Sequence, residues 1–111
     1  MISNKLKKRI LASLALLGSS LFLNVVYAHN AICSCYYEAD EMVLCEGGFS
    51  DGSSAEGVDI RVLDDRERVL LTGKINEEQI FTFKLPSEFF HVVMDAGDNH
   101  QIVIYQDEIE E

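Results

Sequence analysis

Apolar and polar residues alternate along most of the chain beyond residue 30, and this period of two predicts β-strands. In 58–62 three aliphatic side chains alternate with two charged ones, and in 81–85 two phenylalanines and a leucine share one face. No sequence segment in this region has a convincing helical period. The seven predicted strands are 32–37, 42–45, 58–62, 69–71, 81–85, 92–94 and 102–105.

Turn-forming residues separate these predicted strands. Residues 47–54 form a predicted loop rich in glycine and serine, and Pro86 ends the fifth strand because it cannot donate a backbone hydrogen bond. The acidic tail, 107–111, is expected to fray. Seven short strands with regularly spaced turns predict an all-β fold, a seven-stranded antiparallel β-sandwich of the immunoglobulin or transthyretin type. Its predicted core consists chiefly of Val58, Ile60, Val62, Phe81, Phe83 and Leu85.

The first 28 residues have the composition of a secretory signal. A basic start, 5–9, precedes an apolar segment, 10–26, and a small residue, Ala28, marks the expected cleavage point. A retained membrane anchor is the alternative, although small and polar residues within 18–24 interrupt the apolar run. We predict an N-terminal signal helix over 1–28, one domain over 29–111, and a periplasmic or secreted location.

The expected mature domain is strongly acidic. It contains all 19 acidic residues of the chain and five of the nine basic ones, so its formal charge is −14. Such a surface repels nucleic acid and anionic lipid, and it attracts cations. We therefore expect no nucleic-acid partner and no direct lipid binding, although the charge is also explained by the solubility that an exported protein needs.

Three cysteines in an exported chain favour a disulfide, with one thiol left over. If the first turn is centred on Asp40, Cys35 lies opposite Cys45 in the hairpin, close enough to form a disulfide, and Cys33 is the odd thiol. In the alternatives, Cys33 and Cys35 bind a soft metal ion, or all three cysteines stay reduced.

Strand parity predicts which loops share an end of the sandwich. If all seven strands run its full length, the start of the mature domain lies at the same end as three connections, 47–57, 73–78 and 97–100. His29 and His100 would then be neighbours. As the first residue, His29 would offer both its α-amine and its imidazole to a metal ion, and nitrogen ligands of this kind suit nickel, cobalt or copper. An accidental N-terminal histidine and a solvated turn histidine are the simpler interpretation.

The sequence contains no arrangement that predicts catalysis. There is no phosphate-binding loop, no histidine pair at helical spacing and no recognisable nucleophile with its base. His91, which follows two phenylalanines at the expected start of a strand, is a weaker candidate ligand. We therefore predict a binding module and not an enzyme.

Several stretches resemble one family. The expected start at His29, the segments 46–53 and 57–64, and the turn 95–100 are similar to exported accessory components of energy-coupling-factor type nickel and cobalt uptake systems. Those components have a carboxypeptidase-regulatory-like or transthyretin-like sandwich. The turn resembles the family's Asp-Ala-Gly-x-Gly-His hairpin, with Asn99 in place of the second glycine. The three cysteines are not expected of the family.

The resemblance implies a metal-binding accessory protein that assists nickel or cobalt uptake, with components of a membrane metal transporter as partners. His29 and His100 carry over as metal-handling residues, and Asp95 would orient His100 as a hydrogen-bond acceptor. Cys33 and Cys35 are further candidate ligands on the local argument alone, with copper less favoured than nickel or cobalt. The alternative function is a non-catalytic structural or adhesion-type β-sandwich that binds an envelope protein partner.

Overall fold

A computed structural model describes residues 30–111, and this part of the chain is a β-sandwich of two antiparallel sheets. The prediction of seven strands in an all-β fold is confirmed. The predicted signal helix, its cleavage point and His29 lie outside the described residues. The elements are β1 (Ala31–Glu38), β2 (Met42–Phe49), β3 (Asp59–Asp64), β4 (Val69–Lys74), β5 (Ile80–Lys84), β6 (Phe90–Asp95), β7 (Gln101–Tyr105) and the short 3-10 helix η1 (Gln106–Glu108).

The two sheets have the strand orders β1-β2-β5 and β4-β3-β6-β7. Hairpins join β1 to β2, β3 to β4 and β6 to β7, and the other connections cross between the sheets. The fourth strand pairs with the third, in the same sheet as the sixth and seventh strands. In a constant-type immunoglobulin domain the fourth strand instead shares a sheet with the first, second and fifth. On one side of the sandwich β1 packs against β7.

The core lies between the inward faces of the two sheets. Three of the six predicted core residues, Ile60, Val62 and Phe83, are buried, and the other three are partly buried against them. The rings of Phe83 and Phe90 meet edge to face across the two sheets, with centroids 5.9 Å apart. The alternation of apolar and polar residues therefore predicted the inward faces of β3 and β5.

The β1–β2 hairpin carries a disulfide between Cys35 and Cys45, which are directly opposite in the strand register. Both cysteines are buried, with relative exposures of 1% and 0%, so the bond lies within the core. The hairpin turns at Asp40 and Glu41, whose φ angles are 62° and 58°. This is the pair of cysteines that a turn centred on Asp40 places opposite each other.

β2 continues further than the sequence pattern predicted. Gly47 and Phe49, assigned to a loop from their composition, belong to the strand, because β1 begins at Ala31 and Ala31 pairs with Phe49. A Cβ atom on Gly47 would lie 2.8 Å from Sδ of Met94 in the facing sheet. Any larger residue at position 47 would therefore have to displace the Met94 side chain. The loop begins at Ser50.

The prediction of a frayed acidic tail was wrong. Ile109 is 6% exposed and packs in the core. The backbone of Glu110 forms two hydrogen bonds with β1: its N–H donates to the carbonyl of Cys35 at 3.0 Å, and its carbonyl accepts from Tyr37 at 2.8 Å. One buried isoleucine and a short parallel bridge thus fix the last residues to the three-stranded sheet.

Asp64 closes the β3–β4 hairpin with its side chain. The residue is 1% exposed, and its Oδ1 accepts hydrogen bonds from the backbone N–H groups of Arg66 and Arg68 at 2.9 and 2.8 Å. Its Oδ2 accepts from Nε of Arg68 at 2.7 Å. Burial raises the pKa of Asp64, but the hydrogen bonds and the charge of Arg68 outweigh burial and hold the pKa below its usual value of 3.8.

Acid is therefore expected to weaken this hairpin. Because the pKa of Asp64 is lower in the folded chain, its contribution is complete above the usual value and is lost as the pH falls through the folded value. We expect Asp64→Asn to be less stable near neutral pH and to lose less stability between about pH 5 and about pH 2. Urea midpoints across this range test the prediction, with exposed Asp65→Asn as the control. An acid limb of Asp64→Asn that is parallel to that of the wild type would contradict it.

Candidate functional site

The predicted loop cluster is present at one end of the sandwich in the described residues. Asn30 exchanges hydrogen bonds with Ser50: its N–H donates to Oγ at 3.1 Å, and its carbonyl accepts from the backbone N–H at 2.8 Å. Gln79 joins the next two connections, since its Oε1 accepts from Ala55 N–H at 2.8 Å and its Nε2 donates to Ser54. The 96–100 turn follows β6 at this same end, because Asp95 pairs with the first residue of β3.

The turn that carries His100 has an unusual backbone. Three successive residues have positive φ angles: Gly97 at 80°, Asp98 at 49° and Asn99 at 63°. Two hydrogen bonds close the turn, from Ala96 N–H to the carbonyl of His100 at 2.9 Å and from His100 N–H to the carbonyl of Gly97 at 2.8 Å. Position 99 thus has the left-handed conformation that favours glycine and that asparagine tolerates. The His100 side chain is exposed.

Asp95 holds the turn that precedes His100. Its Oδ1 accepts a hydrogen bond from Gly97 N–H at 3.0 Å, its Oδ2 accepts from Nε2 of Gln101 at 3.1 Å, and Arg61 lies 3.6 Å away. The hydrogen bonds from Gly97 and Gln101 and the charge of Arg61 outweigh the effect of burial and lower the pKa of Asp95. The ionised carboxylate therefore shapes the turn, and its partners are Gly97, Gln101 and Arg61.

The cysteines do not form a metal-binding pair. The sulfur of Cys35 is bonded to Cys45, so it has no thiolate to offer a metal ion. Cys33 is the free thiol and packs against the core, and burial raises its pKa to about 11, which disfavours the thiolate that would bind a metal. The structure therefore corrects the hypothesis that Cys33 and Cys35 act together as ligands.

Within residues 30–111 no group of three or more histidine, cysteine, aspartate or glutamate side chains is arranged to hold a metal ion. Of the five candidate ligands, His100 is exposed at the loop end, Asp95 supports its turn, and the two cysteines lie in β1. The fifth, His29, is outside the described residues and directly precedes Asn30.

A second feature, at the opposite end of the sandwich, was not predicted. A cavity of about 740 Å³ opens where β3 and β7 end and β6 begins, and its lining includes His91 and Tyr105. These two rings pack together with centroids 5.7 Å apart, and His91 is only 7% exposed. Residues 90–94 of β6 are all buried, so this strand is buried on both faces and does not follow a period of two. Its sequence signal is the nearly continuous apolar segment 90–94, which only His91 interrupts.

Comparisons of the chain with family models, with curated proteins and with solved structures found no match. Among the described residues, no helix has the length and hydrophobicity needed to cross a membrane.

Proposed function

We propose that the protein is an exported metal-binding accessory protein that assists nickel or cobalt uptake by a membrane transporter. His29 would bind the ion through its α-amine and imidazole, and His100 would complete the site. The observation that supports the proposal is the relation between β1 and β7, which pack against each other and begin at the same end of the sandwich. In the sequence, His29 comes shortly before β1, and His100 comes directly before β7.

The backbone around the candidate ligands suits a preformed site. His100 follows a turn closed by two backbone hydrogen bonds, and Asp95 holds that turn through Gly97 and Gln101. Asn30 is tied to Ser50 by two hydrogen bonds, which restrict the residue immediately after His29. Two restricted segments lose less conformational entropy on binding than free ones do. The strong negative charge of the domain adds attraction for a divalent cation.

The test is a calorimetric titration of nickel and of cobalt into protein that begins at His29, with the N-terminus verified by mass spectrometry. We expect a micromolar dissociation constant that rises at least about tenfold in both His29→Ala and His100→Ala. A chain with one extra residue before His29 should show the same loss, because its α-amine is displaced from the chelate ring. Binding should also release protons, because a metal ion displaces the proton of the amine.

The control is His91→Gln, which removes a histidine from the opposite end and should bind metal as the wild type does. Asp95→Asn should weaken binding less than His100→Ala, because Asp95 shapes the turn and is not a ligand in this proposal. Equal weak binding by the wild type and both alanine variants would overturn the proposed function.

A further inference from the structure

The cavity at the end opposite His100 presents aromatic rings to solvent. Phe89 is 77% exposed and Tyr105 is 56% exposed, and both line the cavity together with Tyr37 and the nearly buried His91. Exposed large apolar side chains that gather around one concavity are typical of a binding surface. The volume of about 740 Å³ lies within the range of ligand-binding clefts, about 300–1,000 Å³.

The charged residues that line this cavity, among those that the structure describes, all have one sign. Asp65, Glu67 and Asp107 contribute carboxylates, and no lysine or arginine within residues 30–111 is part of the lining. Arg68 is not part of the lining: its guanidinium pairs with Asp64 at 2.7 Å, and its charge also acts on Asp65 and Glu88 at the edge of this surface. Glu67 also lies 3.5 Å from Nε2 of His91, at the boundary between the acidic rim and the aromatic surface.

Aromatic faces beside carboxylates are suited to a cation with an extended surface. A guanidinium group stacks on an aromatic ring and donates paired hydrogen bonds to a carboxylate, whereas an ammonium group acts as a compact, strongly hydrated charge. The geometry therefore favours arginine over lysine. Since this end carries neither His100 nor Asn30, an occupant would leave the candidate metal site free.

The surface extends beyond the space for one side chain. A second depression of about 310 Å³ lies against Phe89, and it shares Asp65 and Gln106 with the larger cavity. Glu88 adds another carboxylate there. The side chain of Gln106 accepts a hydrogen bond from Phe90 N–H at 3.3 Å, which fixes the wall between η1 and β6. A continuous acidic and aromatic surface of this kind matches an extended chain better than a single small molecule.

We propose that this cavity binds an arginine side chain on an extended basic segment of a protein partner. The guanidinium enters between Tyr105 and the carboxylates of Glu67 and Asp107, and the residues next to the arginine contact Phe89. The site is independent of the proposed metal function, because it uses other residues at the other end of the domain.

The test is an NMR titration of the ¹⁵N-labelled, metal-free domain with an end-blocked peptide, Gly-Ser-Arg-Ser-Gly. The matched control peptide carries citrulline, which keeps the shape of arginine and removes its charge. We expect amide shifts confined to the segments around Phe89, His91 and Tyr105, with a dissociation constant near about 1 mM. Citrulline should bind at least about tenfold more weakly, and a lysine peptide should be intermediate.

Variants at exposed positions distinguish a site from general attraction to an acidic protein. The double variant Glu67→Gln/Asp107→Asn and the single variant Phe89→Ala should each weaken binding at least about fivefold without changing the melting temperature appreciably. The double variant Glu56→Gln/Glu78→Gln, in the loop cluster at the other end, also removes two charges from exposed side chains and should leave binding unchanged. His100→Ala should also bind the peptide normally, even if it loses nickel.

Two results would overturn this proposal. One is a set of shifts spread over the whole surface with equal affinity for arginine and citrulline. The other is an equal loss of affinity in the Glu56→Gln/Glu78→Gln and Glu67→Gln/Asp107→Asn variants, since both remove two charges and equal losses would show dependence on net charge alone.

Discussion

Replacing both Cys35 and Cys45 by alanine is expected to lower the free energy of unfolding by about 3 kcal/mol. The disulfide closes a short loop with a sequence separation of 10, and the restriction of the unfolded chain by such a loop corresponds to about 2.7 kcal/mol. Both cysteines are also buried in the core, so that alanine leaves unfilled space between β1, β2 and the facing sheet. For a domain of this size the change is a large share of the total stability.

Urea unfolding followed by tyrosine fluorescence measures this effect, since the chain has four tyrosines and no tryptophan. The melting temperature should fall by more than about 10 °C. Cys33→Ala is the matched control, because it removes a partly buried thiol from the same strand and leaves the disulfide intact. A loss in Cys33→Ala as large as that in the double variant would show that packing and not the bond is responsible. Reduction of the wild type should have an effect similar to that of the double variant.

The strands were predictable because each buries one face, and a period of two is the direct consequence. The register of the first hairpin was also predictable, since Asp40 fixes the turn and the turn fixes which cysteines face each other. The two errors in the predicted fold, the end of β2 and the frayed tail, have a common cause. Gly47 and Ile109 owe their positions to long-range contacts, with Met94 and with the core around β1, and neither contact leaves a local pattern.

The candidate site was predictable in part. The turn before β7 and the exposure of His100 follow from glycine, aspartate and asparagine, which favour turns. The role of Asp95 in shaping the turn could not be predicted from the local sequence, because its partners include Arg61, which lies on a neighbouring strand. The cavity around Tyr105 is assembled from β1, the β3–β4 turn, the start of β6 and the segment after β7. No stretch of sequence contains enough of it to predict a binding surface.

Phe83→Ala is expected to cost about 3–5 kcal/mol of unfolding free energy, the largest effect of any single substitution that we predict. Phe83 is 5% exposed and lies on β5 in the three-stranded sheet, while its edge-to-face partner Phe90 lies on β6 in the other. Its removal therefore opens a cavity between the two sheets and also breaks an aromatic contact worth about 0.5–1.5 kcal/mol. The surrounding strands are hydrogen-bonded and cannot collapse fully into the space.

A matched substitution on the same strand separates packing in the core from loss of an aromatic ring. Phe81 shares the inward face of β5 and packs against Phe83 with centroids 5.9 Å apart, but it is only partly buried. Phe81→Ala should therefore cost clearly less than Phe83→Ala, and Phe83→Leu, which refills most of the space, should cost about 1–1.5 kcal/mol. Urea midpoints of the three variants test this order. Equal losses of unfolding free energy in Phe81→Ala and Phe83→Ala would contradict the prediction, since they would mean that the contact of Phe83 with Phe90 adds no measurable stability.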